Sequence, residues 1–231
     1  LAEEAESALR DMSLLRNGLL SVAATHTIGT YLLPQTIVHF RRRFPGVTLR
    51  LEIETAEGLS RRLAEGTVDL ALSGSPEGLP ASVETAVFSE DEVIAVARPH
   101  GKEKRRGRLS IQSIVTQTLV LDASGSVPRM LFEQVLRAAG VSMAPAHVFT
   151  LAGTEAVKRA AESGLGIGVV TAIAVREELR SRRLVRLRVD GMLIKRPLYQ
   201  ARPRARRESK AATAFLCILK HAIRGSLPTL S

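Results

Sequence analysis

The sequence predicts an α/β protein of two successive parallel-sheet units, and three observations carry that prediction. Residues 19–72 alternate strand and helix patterns in the order β-α-β-α-β, which implies a parallel sheet covered by helices. A second run with the same plan begins near residue 93. In both runs an apolar strand empties into a loop with two hydroxyl residues and then a helix, at Thr25 and Thr27 in the first and at Ser124 and Ser126 in the second.

Taken in order, residues 1–16 place Leu1, Ala5, Ala8, Leu9, Met12 and Leu15 at helical spacing, with Gly18 just past the end, and read as an amphipathic helix. The first residue is Leu and not Met, so we expect the chain to continue upstream. A strand near 19–24 leads into a helix over 28–44 carrying Leu32, Leu33, Ile37, Val38, Phe40 and Phe44, which stops at Pro45-Gly46. Strict alternation marks 47–54 as a strand, a short helix over 57–65 ends at Gly66, and the apolar run 68–72 is a buried strand.

The second run has strands at 93–98 and 118–121 separated by a basic loop at 100–107. A helix starts at Pro128, a favoured first-turn residue, and stops at Gly140. A strand at 147–150, a helix at 154–163 and strands near 166–170 and 184–189 follow. A strand at 196–201 and a helix over 208–223 close the chain.

At 231 residues with 45% hydrophobic content, the chain can build an ample core, and no apolar run is long enough to span a bilayer. No secretory leader opens it, and the single Cys217, in an apolar run expected in the core, allows no intrachain disulfide, so we expect a cytoplasmic protein. A net charge of +10 would suit nucleic acid, but the basic clusters at 41–43, 102–106, 180–183 and 202–207 fall apart from one another at helix ends and loops. With aromatics at 3% and no Trp, base-stacking platforms are missing, and these clusters read as solvated surface.

The first amides of a helix lack intrahelical acceptors and sit at the positive end of its dipole, so hydroxyl residues there either cap the helix or hold an anion. Thr25, His26 and Thr27 form one such start, Ser124 and Ser126 the other, and the loop at Ser73 to Ser75 should meet the first at the carboxyl ends of the strands. Two starts gripping one anion would couple binding to hinge closure. No G-x-S-x-G elbow occurs, and His26 between two threonines reads as a structural or ligand-orienting group more than a general base. His39, His100, His147 and His221 lack metal-ligand spacing, so neither a metal nor a cofactor is expected. Gly164-Leu-Gly166-Ile-Gly168 follows a helix and enters a strand, the reverse of a dinucleotide fingerprint, and reads as a helix stop with close packing. Glu90-Asp91-Glu92 reads as solvated surface at a strand start.

The order of motifs resembles the effector-binding domain of LysR-type bacterial transcriptional regulators. The residues that carry it are Gly18-Leu-Leu-Ser-Val-Ala, Thr27-Ile-Gly-Thr-Tyr-Leu-Leu-Pro34, Phe40-Arg-Arg-Arg-Phe-Pro45-Gly-Val and Leu63-Ala-Glu-Gly-Thr-Val-Asp-Leu-Ala-Leu72. Gly153-Thr-Glu-Ala-Val-Lys158 and Ala160-Ala-Glu-Ser-Gly-Leu-Gly-Ile-Gly168 extend it. Thr25-His26-Thr27 is similar to the anion-binding segment of regulators of cysteine biosynthesis, whereas 153–168 looks more like regulators of carbon-fixation operons.

The resemblance implies two Rossmann-like subdomains of the periplasmic-binding-protein type II kind, one from 17–91 and 196–231 and the other from 92–195, joined by crossing strands at about 92–99 and 196–202. Residues 1–16 then look like the end of a linker helix that dimerises, behind an N-terminal winged helix-turn-helix absent from this chain. The implied effector site is Thr25, His26, Thr27, Ser73, Ser124 and Ser126, with Thr154. One departure is Thr171, where many relatives have Pro after the Gly-rich strand. The expected function is non-enzymatic: sensing a small anionic metabolite between the subdomains, as a homodimer or tetramer that holds promoter DNA through the missing domain. A solute-binding protein of a transporter and an enzyme on the same scaffold are the alternatives, the first requiring an export signal and the second His26 acting with a nearby acid.

Overall fold

A computed structural model describes residues 17–99, 108–204 and 209–226. The predicted helix over 1–16 and the whole of the basic loop at 100–107, with His100, lie outside the described residues, as do residues 205–208. The chain divides into two compact units, one formed by the described residues up to Glu90 together with those from Pro197, the other by Asp91–Arg196.

In the first unit, β1 (Gly18–Thr25) runs parallel to β2 (Val47–Glu54) on one side and to β3 (Leu70–Ser73) on the other. The strand β11 (Ile194–Pro203) closes this arrangement antiparallel to β3, with Tyr199 opposite Ser73. β1 is buried from Leu20 to Ala24 because helices cover both faces, as expected for a parallel sheet. Helix α3 (Ala56–Ala64) sets Leu59 and Leu63 against Ala23, Ala71 and Ala201, small residues that let the helix approach the strands.

The helix expected over 28–44 is two helices, α1 (His26–Tyr31) and α2 (Leu33–Arg43), broken at Leu32. Pro34 has no N–H to give to the carbonyl four residues back, so a continuous helix would lose a bond there, and the chain turns instead. The final helix α8 (Lys210–Ser226) packs on α2, with Phe215 edge-on to Phe40 at 5.3 Å between ring centres. Fully burying each ring is worth about 2–3 kcal/mol. Cys217, expected in the core, is only half-buried on α8.

In the second unit, β6 (Leu119–Leu121) lies parallel to β7 (Val148–Thr150) and β8 (Ile167–Thr171). Strand β4 (Val83–Ala97) pairs antiparallel with β8, Val93 facing Thr171. Alternation along β4 splits the core into two faces. Val93, Ala95 and Ala97 pack with Phe132 and Leu136 of α5 (Val127–Ala138), while Ile94 and Val96 pack with Val157 and Ala161 of α6 (Thr154–Glu162). The 184–189 strand is two short pieces, β9 (Val185–Leu187) on β4 and β10 (Val189–Asp190) on β5 (Leu109–Ser110). A capping box at Ser110 and Ser113 starts the one-turn helix α4 (Ile111–Ile114), which the sequence reading did not predict. The remaining helix is α7 (Arg176–Arg180).

Strands β4 and β11 contribute residues to both units. β4 begins ten residues earlier than expected, at Val83 rather than 93. Its first half is mostly exposed and lacks a two-residue hydrophobic alternation, so its strand character comes from its neighbours. The glycine run at 164–168 packs closely, as expected: Gly164 adopts φ 87° after α6, and a Cβ on Gly166 would overlap the carbonyl oxygen of Thr118.

Candidate functional site

The parallel order of β1 and β3 brings Thr25 and Ser73, the last residues of each, to the same end of the first unit. Asp69 holds this alignment. Its backbone amide donates to the carbonyl of Ser21 at 2.9 Å, and its Oδ2 accepts from the amide of Ser21 at 2.9 Å. Ser73 is buried, and its Oγ accepts from the amide of Ser75 at 3.2 Å, a local turn that occupies the oxygen. His26 is exposed at the first position of α1, with Thr27 half-buried behind it.

Thr25 departs from the ordinary behaviour of a threonine before a helix. It sits in the N-cap conformation, φ −67° and ψ 156°, yet its side chain makes no capping bond, and its Oγ1 is screened from solvent with no hydrogen-bond partner. Ser126 repeats this before α5, at φ −65° and ψ 137°, again without a capping bond and with a buried, unpartnered Oγ. Three other hydroxyl residues ahead of α-helices make the usual bonds: Thr55 accepts from Gly58 at 3.1 Å, Ser110 from Ser113 at 3.1 Å and Ser209 from Ala212 at 3.3 Å, whereas Thr171, ahead of a short 3₁₀ turn, makes none.

In the second unit, Ser126 and Thr154 follow the neighbouring parallel strands β6 and β7. Asp122 ties their loops together, because its Oδ1 accepts from the amides of Ala123 at 2.7 Å and Gly153 at 2.8 Å. Arg129 adds a clamp, donating from Nη1 to the Asp122 carbonyl at 2.9 Å and to Thr150 Oγ1 at 3.1 Å. Ser124 is exposed at the loop tip, and Thr154 is half-buried at the start of α6. Of the seven residues named from the sequence, Thr25, His26, Thr27 and Ser73 thus gather at one end of the first unit, and Ser124, Ser126 and Thr154 at one end of the second.

Two buried polar groups escaped the sequence reading, Asp91 and Arg196, and a third, Thr171, was met there only as a departure from proline. Asp91 is 5% exposed, not solvated surface: its Oδ1 accepts from the amides of Glu92 at 2.8 Å and Ile173 at 3.2 Å, and its Oδ2 faces Arg196 Nη1 at 3.8 Å. Arg196, also 5% exposed, leaves Nε and Nη1 without hydrogen-bond partners. Thr171 is 1% exposed with a lone Oγ1. Burial is the main force on both ions of the pair, pushing the Asp91 carboxyl up and the Arg196 guanidinium down from their ordinary values. Only Thr171 had a signal in the sequence, as a departure from proline; a charge inside an acidic triplet or a basic strand looks like surface until its neighbours are known.

Lys158 is a further buried charge, held by Glu155 at 2.6 Å, Glu178 at 3.1 Å and the carbonyl of Ala174 at 3.2 Å. These bonds pin α6 to α7 and explain the Glu155 and Lys158 spacing as structural. Among the described residues, no group of three or more His, Cys, Asp or Glu is placed to hold a metal ion. Among them too, no helix is long and apolar enough to cross a membrane. Arg41, Arg42, Arg43, Arg180 and Arg182 are exposed, in keeping with solvated clusters.

Comparison with known proteins agrees with this architecture. The family model described as the LysR substrate binding domain matches residues 15–224. A probable RuBisCO transcriptional regulator of Trichormus variabilis is 33% identical over 93% of the chain and 65% of its own length. The RuBisCO operon transcriptional regulator of Allochromatium vinosum is 32% identical over 92% of the chain and 69% of its own length. The chain therefore spans about two thirds of the length of these relatives. Among solved structures, the regulatory domain of CcmR from Synechocystis, in complex with 2-PG, superposes with a TM-score of 0.74 at 22% identity, covering 89% of this chain and 97% of that one. The two-unit α/β architecture is the periplasmic-binding-protein type II fold of such regulatory domains. With residues 15–224 matched by the family model, the chain belongs to the LysR substrate binding domain family.

Proposed function

We propose that this chain is the sensing domain of a LysR-type transcriptional regulator and that its effector is a small anion, taken up on unpaired hydroxyls at helix starts. One observation carries the reading: Thr25 and Ser126 stand where Thr55, Ser110 and Ser209 cap helices, yet each keeps a buried oxygen with no partner. A buried hydroxyl left unpaired costs about 1–3 kcal/mol, which a ligand oxygen accepting from it returns. His26, Thr27, Ser73, Ser124 and Thr154 lie at the same ends of their units and supply further donors. The relatives' names as transcriptional regulators favour this reading over a transport protein. In the full-length protein, effector binding would be passed to a DNA-binding domain outside this chain, in a cytoplasmic dimer or tetramer, without catalysis.

Thermal unfolding of the chain against a panel of small anions tests the proposal, with 2-PG as the first probe because the Synechocystis domain holds it. A ligand at about 100 times its dissociation constant adds roughly 2.7 kcal/mol of stability. Thr25→Val and Ser126→Ala should each abolish the shift while the protein stays folded. A shift unchanged in both variants would remove the effector from these hydroxyls.

A further inference from the structure

Helices α2 and α8, which meet at Phe40 and Phe215, also line an open cavity of about 370 Å³. Its walls are two matching triplets. His39, Arg42 and Arg43 stand at i, i+3 and i+4 on α2, and Ile218, His221 and Ala222 at the same spacing on α8, so each helix turns one face to the same space. Ile218 and Ala222 are half-buried and give the cavity an apolar side, whereas the two histidines and two arginines are exposed. Small-molecule sites have volumes of this order and join an apolar wall to a few convergent polar groups.

The charge around this space is of one sign. Neither α2 nor α8 contains an Asp or a Glu. Among the described residues, His39, Arg42, Arg43 and His221 are bonded to no acid. Cations in the last turn of α2 suit its dipole, which accounts for Arg42 and Arg43 as residue types. The dipole does not account for their meeting a histidine and two apolar side chains of another helix around a cavity. Arg41, the first member of the basic run, does not line it.

We infer that the groove between α2 and α8 is a binding site for an organic anion that joins an apolar body to one carboxylate or sulfonate group. The body lies on Ile218, Ala222 and the carbon stems of the arginines, and the acid group accepts N–H bonds from Arg42, Arg43 and the imidazoles. An inorganic oxyanion would leave the apolar side uncovered, and a neutral hydrocarbon would leave the guanidiniums unmatched, so the site calls for both parts. All six residues belong to the first unit, and the site stands independently of the assignment of Thr25 and Ser126.

The test is a fluorescence titration of the whole chain with anilinonaphthalene sulfonate at constant ionic strength. The probe should bind saturably, and sodium benzoate should displace it where sodium sulfate does not. The double variant Arg42→Gln, Arg43→Gln should raise the half-saturation concentration at least fivefold, and Ala222→Phe, which fills the apolar side, at least threefold. Neutral phenylnaphthylamine should respond to Ala222→Phe and not to loss of the arginines. The double variant Thr25→Val, Ser126→Ala should leave the titration unmoved. If Ala222→Phe does not fold, the arginine variant, whose altered side chains are exposed, carries the test on its own. Half-saturation unmoved by the arginine variant, or displacement by sulfate as effective as by benzoate, would overturn the site. Weakening by the hydroxyl variant alone would overturn it by placing the probe at Thr25 and Ser126, and binding that weakens as protein concentration rises would overturn it by giving the groove to a second copy of the chain.

Discussion

Ser21 and Asp69, 48 residues apart, exchange two hydrogen bonds: the Ser21 amide donates to Asp69 Oδ2 and the Asp69 amide donates to the Ser21 carbonyl, both at 2.9 Å. This bridge sets the stagger of β3 against β1 one step before the strands pair at Val22 and Leu70. It therefore decides that Thr25 and Ser73 end side by side. Asp69→Ala leaves a buried amide unpaired and should cost about 1–3 kcal/mol, read from urea denaturation midpoints. Asp69→Asn keeps an acceptor oxygen and should retain most of that stability.

Two threonines before helices should behave oppositely. Thr55→Ala removes a real cap and should destabilise by about 1 kcal/mol. Thr25→Val removes a buried hydroxyl that bonds to nothing in the chain, so in ligand-free protein its unfolding free energy should be unchanged or higher by up to about 1 kcal/mol. A clear loss at Thr25 would mean that its oxygen is paired within the fold.

Gly166→Ala should be far more damaging than Gly168→Ala. At Gly166 the new methyl meets the backbone oxygen of Thr118, which also accepts from the Ile167 amide at 2.8 Å, so β6 and β8 must part. At Gly168 it meets the methyl of Ala161 at 3.1 Å, a contact that a small shift of α6 relieves. We expect losses of about 3 kcal/mol or more and about 1 kcal/mol respectively, measured by thermal or chemical unfolding.

Asp91 should reverse the usual acid behaviour of a carboxylate. Burial raises its folded-state value above the ordinary 3.8, outweighing the amides of Glu92 and Ile173 and the nearby arginines. The native state then binds the proton before the unfolded state does, so the Asp91 contribution to stability grows as pH falls through the raised value and is complete below 3.8. It is lost as pH rises through the folded value. The stability of the parent chain minus that of Asp91→Asn, followed by urea unfolding from pH 7 downward, should therefore increase; a decrease would show that the arginines outweigh burial.

Much of the architecture was legible because it is written locally. The alternation of 47–54, the capped and glycine-stopped helices and the buried runs of β1, β3 and β8 follow from side-chain period and turn chemistry, and they reappear within a few residues. The break at Leu32 and the exposed first half of β4 were not legible. One depends on how a proline competes with helix continuity; the other is a strand only because its neighbours pair with it. In the site, the hydroxyls of Thr25 and Ser126 could be named from position, but not their failure to cap, since the same residue types do cap at Thr55 and Ser110.

The amino-acid sequence by itself determined the two-unit α/β plan, the family and the helix starts that carry the hydroxyls, because hydrophobic period, capping residues and motif order act over a few residues at a time. Only the tertiary structure decided which polar groups are satisfied. Asp91 lies in an acidic triplet and Arg196 beside another basic residue, both ordinary surface by sequence, and it is the sheet and the helices folding over them that strip away water and leave their charges to be met by a partner.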